Sequence, residues 1–396
     1  MCSGTRLTEA RPQSKKTGVK LTRAQLRAHA LAQTMFRAPD VKAALQRFGF
    51  VQADPIRAPA RAQDLILRHR IAGYRAGDLE RQYPELGIEE GSFYAYGFLT
   101  RSLWALRHPP LSTGLSKPER RLLELVTRVG EAHPEDLQAE FGGKRALNAW
   151  GGYSTAAKLA LERLHRRGLL RVARRQKGVR VYAPSLPVSE RPLPSEVLSS
   201  FALALVGILG PISERSLRAL LVRLARHVKG AAPRTVLSTL EATARLESGE
   251  LEDVKYLWLP PGEAGASAES IVGRRASPEP LPPSVRLLAP FDPLVWDRRR
   301  FEHLWGWPYR FEAYTPIAKR VRGYYAMPLA WGDDVIGWAN VLRRGSGIEA
   351  ELGFVAKRPR ARAFRLELEA ELSRLRAFLG PPDDAADEAE EETAER

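Results

Sequence analysis

The sequence predicts an α+β chain built from tandem winged helix–turn–helix units, followed by a small C-terminal β-barrel-like domain. Three observations carry that expectation. Residues 116–183 read as helix, short helix, third helix and then two basic strands. The same order recurs, more weakly, at 195–260. From residue 284 the chain changes to short β-branched and aromatic runs separated by turns.

A chain of 396 residues exceeds one ordinary core. Residues 1–20 are basic and read as a disordered arm. In the first unit, 21–115, Thr22 and Gln25 make a capping box at the head of a helix. A second helix is expected from Pro39 to Phe48, and another through Leu65 and Leu67. Residues 83–110 are rich in aromatic side chains, Phe93, Tyr94, Tyr96, Phe98 and Trp104 among them.

The second unit, 116–194, opens with a Ser116/Glu119 capping box before RRLLELVTRV. His133-Pro134-Glu135-Asp136 starts a short second helix, and Trp150-Gly151-Gly152 links to the third. There Ala157, Ala160, Leu161 and Leu164 recur at helical spacing and give one apolar face. Gly168 ends that helix, and LLRVARR and VRVYA form the hairpin. The third unit, 195–260, carries fewer bases on its last helix and reads as a packing copy. A Gly/Ala/Ser/Pro linker follows at 261–283, then a β domain at 284–358 and a basic amphipathic helix at 359–380.

Charge narrows the partner. The last sixteen residues, 381–396, hold eight acids and one base and read as a disordered acidic tail. That leaves +23 on residues 1–380 against a total of +16. So basic a body favours a polyanion such as nucleic acid. Cys2 is the only cysteine, and the seven histidines show no His-x-x-x-His spacing, so neither a disulfide nor a metal site is expected. The chain has no apolar run long enough for a membrane helix and no signal-peptide pattern. A soluble cytoplasmic protein, associated with the nucleoid, is the expectation.

The segment FVQADPIRAPARAQDLILRHR, residues 50–70, carries the most chemistry. Pro55 pushes Asp54 toward extended backbone, where side chains at i and i+2 share a face. Gln52 and Asp54 can then point at one spot, with Arg57, Arg61, Arg68 and Arg70 close by in sequence to attract phosphate. A fixed carboxylate beside an amide suits work on a sugar–base bond. The same letters also fit a plain helix start, with Asp54 as N-cap and Pro55 at the first helical position. Trp296 and Trp305 read as core, and His108 and His165 as solvated or satisfied by hydrogen bonds.

Taken with the rest of the chain, these motifs resemble a family. Gln52-x-Asp54, the segment NAWGGYSTAAKLALERLHRRGLLRVARR, and LLAPFDPLVWDRRR are the first parts of the likeness. Tyr314, Pro316, Lys319, Arg320, Gly323, Tyr324 and Tyr325 complete it. Residues 21–345 are similar to the bacterial winged-helix DNA glycosylases of the YcaQ/AlkZ-like type, which unhook interstrand crosslinks and excise N7-alkylated purines. The resemblance implies a monofunctional DNA repair glycosylase without cofactor or metal, with Gln52 and Asp54 catalytic. Double-stranded DNA is the expected partner of a monomer, held mainly through phosphates. The expected contacts are Arg57, Arg61, Lys158, Arg166, Arg167, Arg174, Arg175, Tyr314, Lys319 and Arg320. The competing class is a non-enzymatic winged-helix DNA-binding protein or transcription regulator, which would select an operator sequence. A nuclease fits less well, because no carboxylate cluster suited to Mg²⁺ is evident.

Overall fold

The computed structural model describes residues 19–137, 145–147, 153–176, 178–186, 192–262, 284–345 and 347–381. Outside them lie most of the basic arm, the part beyond Leu137 of the second helix expected from His133 (134–137 form a turn), Trp150-Gly151-Gly152, nearly all of the linker and nearly all of the acidic tail. The described chain is mixed α+β.

Both predicted capping boxes form. Thr22 caps α1 (Arg23–Thr34) and Ser116 caps α6 (Lys117–Val129), each with its reciprocal Gln25 or Glu119 side chain. Asp40 caps α2 (Val41–Phe48), and the chain leaves that helix through left-handed Gly49 into β2 (Phe50–Gln52). Next come α3 (Ala62–Leu67), α4 (Asp78–Gln82), β3 (Ile88–Ser92), β4 (Tyr96–Thr100) and α5 (Arg101–Arg107). Strands β2, β4 and β3 form one antiparallel sheet with β4 in the middle.

The predicted second unit supplies α6, the short pair β5 (Arg145–Leu147) and β6 (Tyr153–Thr155), α7 (Ala156–Arg166), and the hairpin β7 (Leu170–Gln176) and β8 (Val179–Pro184). The third supplies α8 (Pro194–Leu209), β9 (Ile212–Ser213), α9 (Glu214–Ala225), α10 (Pro233–Ala242), β10 (Glu247–Leu251) and β11 (Val254–Trp258). Helix α8 is apolar nearly all round, so it is central. It packs against α1, α2, α9, α10 and a later helix, α11 (Pro293–Trp296). The N-terminal strand β1 (Val19–Lys20) runs parallel to β10, tying the start of the chain to this third unit.

The β-barrel-like expectation is corrected. Strands β12 (Val285–Leu287), β13 (Met327–Trp331), β14 (Asp334–Arg344) and β15 (Gly347–Phe354) form an open antiparallel sheet in chain order. Closure would require β12 to meet β15. Instead the last helix, α13 (Arg362–Leu379), packs on those two edge strands. Phe364, Leu368, Leu375 and Phe378 fill the space, and Phe364 stacks on Trp331 at 4.5 Å. Between β12 and β13 lie α11, α12 (Arg298–Trp305) and a long segment that reaches back toward β2.

Candidate active site

Strand β2 lies between two cores. Val51 faces one, with Leu65 and Phe98; Phe50 faces the other, with Phe93, Tyr94 and Phe201. By strand alternation Gln52 leaves on the Phe50 side, just where the strand ends. Its pairing partner is Gly97, where an added Cβ would lie 2.2 Å from the Val51 carbonyl. The ladder gains one more bond, Ala53 N–H to the Tyr96 carbonyl at 2.9 Å, and then Pro55 interrupts it.

Gln52 is held by a residue far along the chain. The Trp296 indole N–H donates to Gln52 Oε1 at 2.9 Å. Tyr94 packs edge-on against Trp296 at 4.8 Å and against Phe50 at 4.7 Å. Trp296 is thus a half-buried wall of the site rather than core alone, whereas Trp305 is core as expected.

Asp54 does not start a helix. Its Oδ1 accepts from the Ile56 backbone N–H at 3.0 Å, which closes a tight Asx-type turn. Helix α3 begins only at Ala62, with Arg61 at the cap position. Asp54 is half-buried, and burial raises its pKa, with only the Ile56 N–H pulling the other way. Among the described residues no cation pairs with it. Tyr314 and Tyr325 lie close enough for its charge to raise their pKa values, after the larger effect of burial. The Tyr325 hydroxyl is buried without a hydrogen-bond partner among the described residues.

Three of the four flanking arginines have acidic partners within the chain. Arg70 is fully buried and grips Asp292 with two bonds, at 2.5 and 3.0 Å. Arg68 bonds Glu371 at 2.6 Å and the Leu287 carbonyl at 2.9 Å. Both lock α3 to the C-terminal region. Arg61 pairs with Glu80, while Arg57 is exposed.

The remaining candidates divide the same way. Lys158 and Arg166 are exposed at opposite ends of α7, and Lys319 is exposed near Asp54's tyrosines. Arg167 instead donates to the Leu111 and Thr113 carbonyls. Arg174 pairs with Glu131 at 3.0 Å on the surface. Arg175 and Arg180 both bind Glu90, which also accepts from the Tyr96 hydroxyl. Burial alone would raise Glu90, but Arg180, Arg175 and Tyr96 hold it down at about 2. Arg320 donates to the Thr315 carbonyl at 2.8 Å and lies over Tyr324. Tyr314 is 78% exposed.

His108 and His165 are buried and hydrogen-bonded to carbonyls of Ser92, Arg166 and Glu90, as expected of structural histidines. Among the described residues no group of His, Cys, Asp and Glu could hold a metal ion. None of their helices is long and apolar enough to cross a membrane.

Sequence reading missed Trp296 as the partner of Gln52 and Glu90 as an arginine anchor. The only available signal was Asp292-Pro293 three residues before Trp296, which caps and opens α11.

The chain is similar in fold to Streptomyces sahachiroi DNA glycosylase AlkZ, with a TM-score of 0.60 at 16% identity over 92% of this chain and 99% of that one. A family model described as DNA glycosylase AlkZ-like matches residues 45–378, and the chain therefore belongs to the AlkZ-like DNA glycosylase family.

Proposed function

We propose that this protein is a monofunctional DNA repair glycosylase that hydrolyses the N-glycosidic bond of N7-alkylated purines, including purines in interstrand crosslinks. One observation carries the reading. Asp54 is a half-buried carboxylate that no cation of the described residues neutralises, beside an amide fixed in place by an indole. Asp292 and Glu371, by contrast, are buried carboxylates matched with arginines. An unmatched one is suited to a partner whose positive charge arises during reaction.

The chemistry follows. Breaking the bond builds oxocarbenium character on the deoxyribose. An N7-alkylated purine is already cationic, so it leaves with little help from a general acid. Asp54 stabilises the sugar cation and takes the proton of the attacking water. Gln52 offers its Nε2 hydrogens to that water or to the sugar, because its oxygen is occupied by Trp296. No lysine adduct is required.

Helices α6 and α7 with the β7–β8 hairpin are read as a winged helix–turn–helix, and α8 to α10 with β10–β11 as a second. Double-stranded DNA is held mainly by phosphate contacts, from Arg57, Lys158, Arg166 and Lys319, with Tyr314 beside the lesion. Arg61, Arg167, Arg174, Arg175 and Arg320 orient the binding surface rather than meet phosphate first, since each already has a protein partner. The protein is read as a cytoplasmic, nucleoid-associated monomer. The test is incubation with alkylated plasmid, followed by alkali cleavage. Strand breaks dependent on the protein and lost with Asp54→Asn are expected. Intact plasmid with the wild type would end the proposal.

A further inference from the structure

We infer that the segment Tyr314–Val321 is a preformed wedge that enters the DNA duplex, with Ile317 and Val321 taking the place of stacked bases beside the target nucleotide. This rests on the glycosylase reading above and adds how the duplex is opened.

The segment exposes apolar side chains where a soluble protein has no structural reason to. Ile317 is 52% exposed, Val321 is 74% exposed and Tyr314 is 78% exposed. Single exposed hydrophobics are ordinary, but three within eight residues make a patch. The patch stands next to the candidate active site: Phe311 packs edge-on against Tyr314 at 6.1 Å and Tyr325 at 5.3 Å, in the same apolar cluster as Ala53 and Ile56, which flank Asp54.

The segment is also braced from beneath. Glu312 is buried, and its Oε2 accepts from the backbone N–H groups of Val321 and Arg322, each at 2.8 Å. Its own carbonyl accepts from Thr315 N–H at 2.9 Å. Arg320 Nε crosses to the Thr315 carbonyl at 2.8 Å and pinches the two limbs together. Asn340 Nδ2 donates to the Arg322 carbonyl at 2.7 Å, and the Arg322 guanidinium lies over both Trp307 and Trp338. Gly323 has φ +115, and any Cβ there would collide with the Asn340 amide at 2.4 Å. An apolar tip fixed this firmly loses little entropy when it inserts.

Charge selects duplex DNA as the occupant. Lys319 sits between the two apolar residues, and Arg320 precedes Val321. An apolar protein surface would find those cations unmatched, whereas a groove flanked by phosphates matches both sets of side chains. Apolar wedges between base steps, flanked by cations, unstack and kink a duplex. A base held in the stack cannot present its sugar to a carboxylate at the foot of such a wedge.

The experiment compares wild type with Ile317→Ser/Val321→Ser. Both positions are exposed, so the fold is not at stake. The probe is duplex DNA carrying 2-aminopurine beside a 7-methylguanine site. Wild type is expected to raise the fluorescence on binding, and the double variant to lose that rise while its Kd changes by less than about threefold. Excision from the duplex should fall by about 10- to 100-fold, and excision from the same lesion in single-stranded DNA by much less, because only the duplex must be unstacked. No rise with wild type, a rise retained by the variant, or equal losses on both substrates would overturn the wedge. A fluorescence rise with no excision from either substrate would remove the glycosylase reading and leave the wedge standing.

Discussion

The Trp296 indole N–H meets Gln52 Oε1 at 2.9 Å, across 244 positions of the chain. An indole can only donate, so the contact fixes which end of the amide faces it. Gln52 must therefore turn its Nε2 toward the site as a donor. Trp296→Phe should keep the edge-on packing with Tyr94 but lose this bond. The expected cost is about 1 kcal/mol in stability and about a tenfold drop in kcat for excision, as the amide becomes free to flip. Single-turnover rates with matched urea-unfolding curves check this. An unchanged rate would mean that the amide orientation does not matter.

Asp54→Asn should lower excision by about two to four orders of magnitude, the scale of losing general-base assistance, with DNA affinity nearly unchanged. The pH profile should carry the same signature. Burial raises the Asp54 pKa from its ordinary value, and the ionised form is the active one, so activity should fall on the acid side earlier than for an exposed aspartate. Stability moves oppositely. A raised folded-state pKa contributes stability below the unfolded value and loses it as pH rises through the folded one. At neutral pH the Asn variant should therefore melt no lower than wild type. A lower Tm would show Asp54 to be structural.

Much of the local structure was legible because it obeys short-range rules. The capping boxes at Thr22 and Ser116 and the apolar face of α7 appear as expected. Gln52 and Asp54 stood out because a proline follows them. What could not be read is long-range. Nothing near Arg70 announces that Asp292 will neutralise it, nor that Arg175 will go to Glu90, 85 positions away. In so basic a chain every arginine reads as a DNA contact until the fold shows which have internal acids. The open C-terminal sheet was missed for the same reason: α13, not strand pairing, covers its edges.

That distinction is testable in one pair of variants. Arg166 is exposed, while its neighbour Arg167 holds the Leu111 and Thr113 carbonyls. Arg166→Ala should weaken DNA binding and reduce the slope of log K against log salt by about 1, with Tm unchanged. Arg167→Ala should lower Tm and leave the slope almost intact. Fluorescence-anisotropy titrations at several salt concentrations separate the two. Equal slopes for both variants would show that α7 does not face phosphate.

Part of the acid sensitivity of the fold should come from His108 and His165, two of the four buried histidines among the described residues. Burial, then Arg107, lowers His108 to about 4; burial, then Arg180, lowers His165 to about 4. A depressed folded-state pKa contributes stability that is present above the unfolded value and lost as pH falls through the folded one. From an ordinary value near 6.5, each histidine can cost on the order of 3 kcal/mol across that window. These two histidines should thus lower Tm between about pH 6.5 and 4, opposed by Asp64, which burial raises to about 6 and which gains stability as pH falls through that value; Tm should stay level between about pH 7 and 9. Glu90, held at about 2, should add a further loss only below about pH 4.5. His165→Gln should flatten part of the decline; a curve as steep as that of the wild type would point to other groups.

The buried Arg70–Asp292 pair ties the end of the helix that follows the Gln52/Asp54 turn to the N-cap of α11, four residues before Trp296. Asp292 also caps α11 through the Leu294 N–H at 3.0 Å. Removing one partner of such a pair leaves the other charge buried and unmatched, so Asp292→Asn should cost about 3–5 kcal/mol. Arg70→Met should cost a similar amount, because Asp292 is then stranded. The double variant should lose less than the sum of the two, since neither charge remains. Excision should fall in the single variants even under conditions where they stay folded, as Trp296 loses its fixed approach to Gln52. Urea unfolding of the double-mutant cycle, with rates measured on the folded fractions, decides this. Additive losses of stability would mean that the two side chains do not act as a pair.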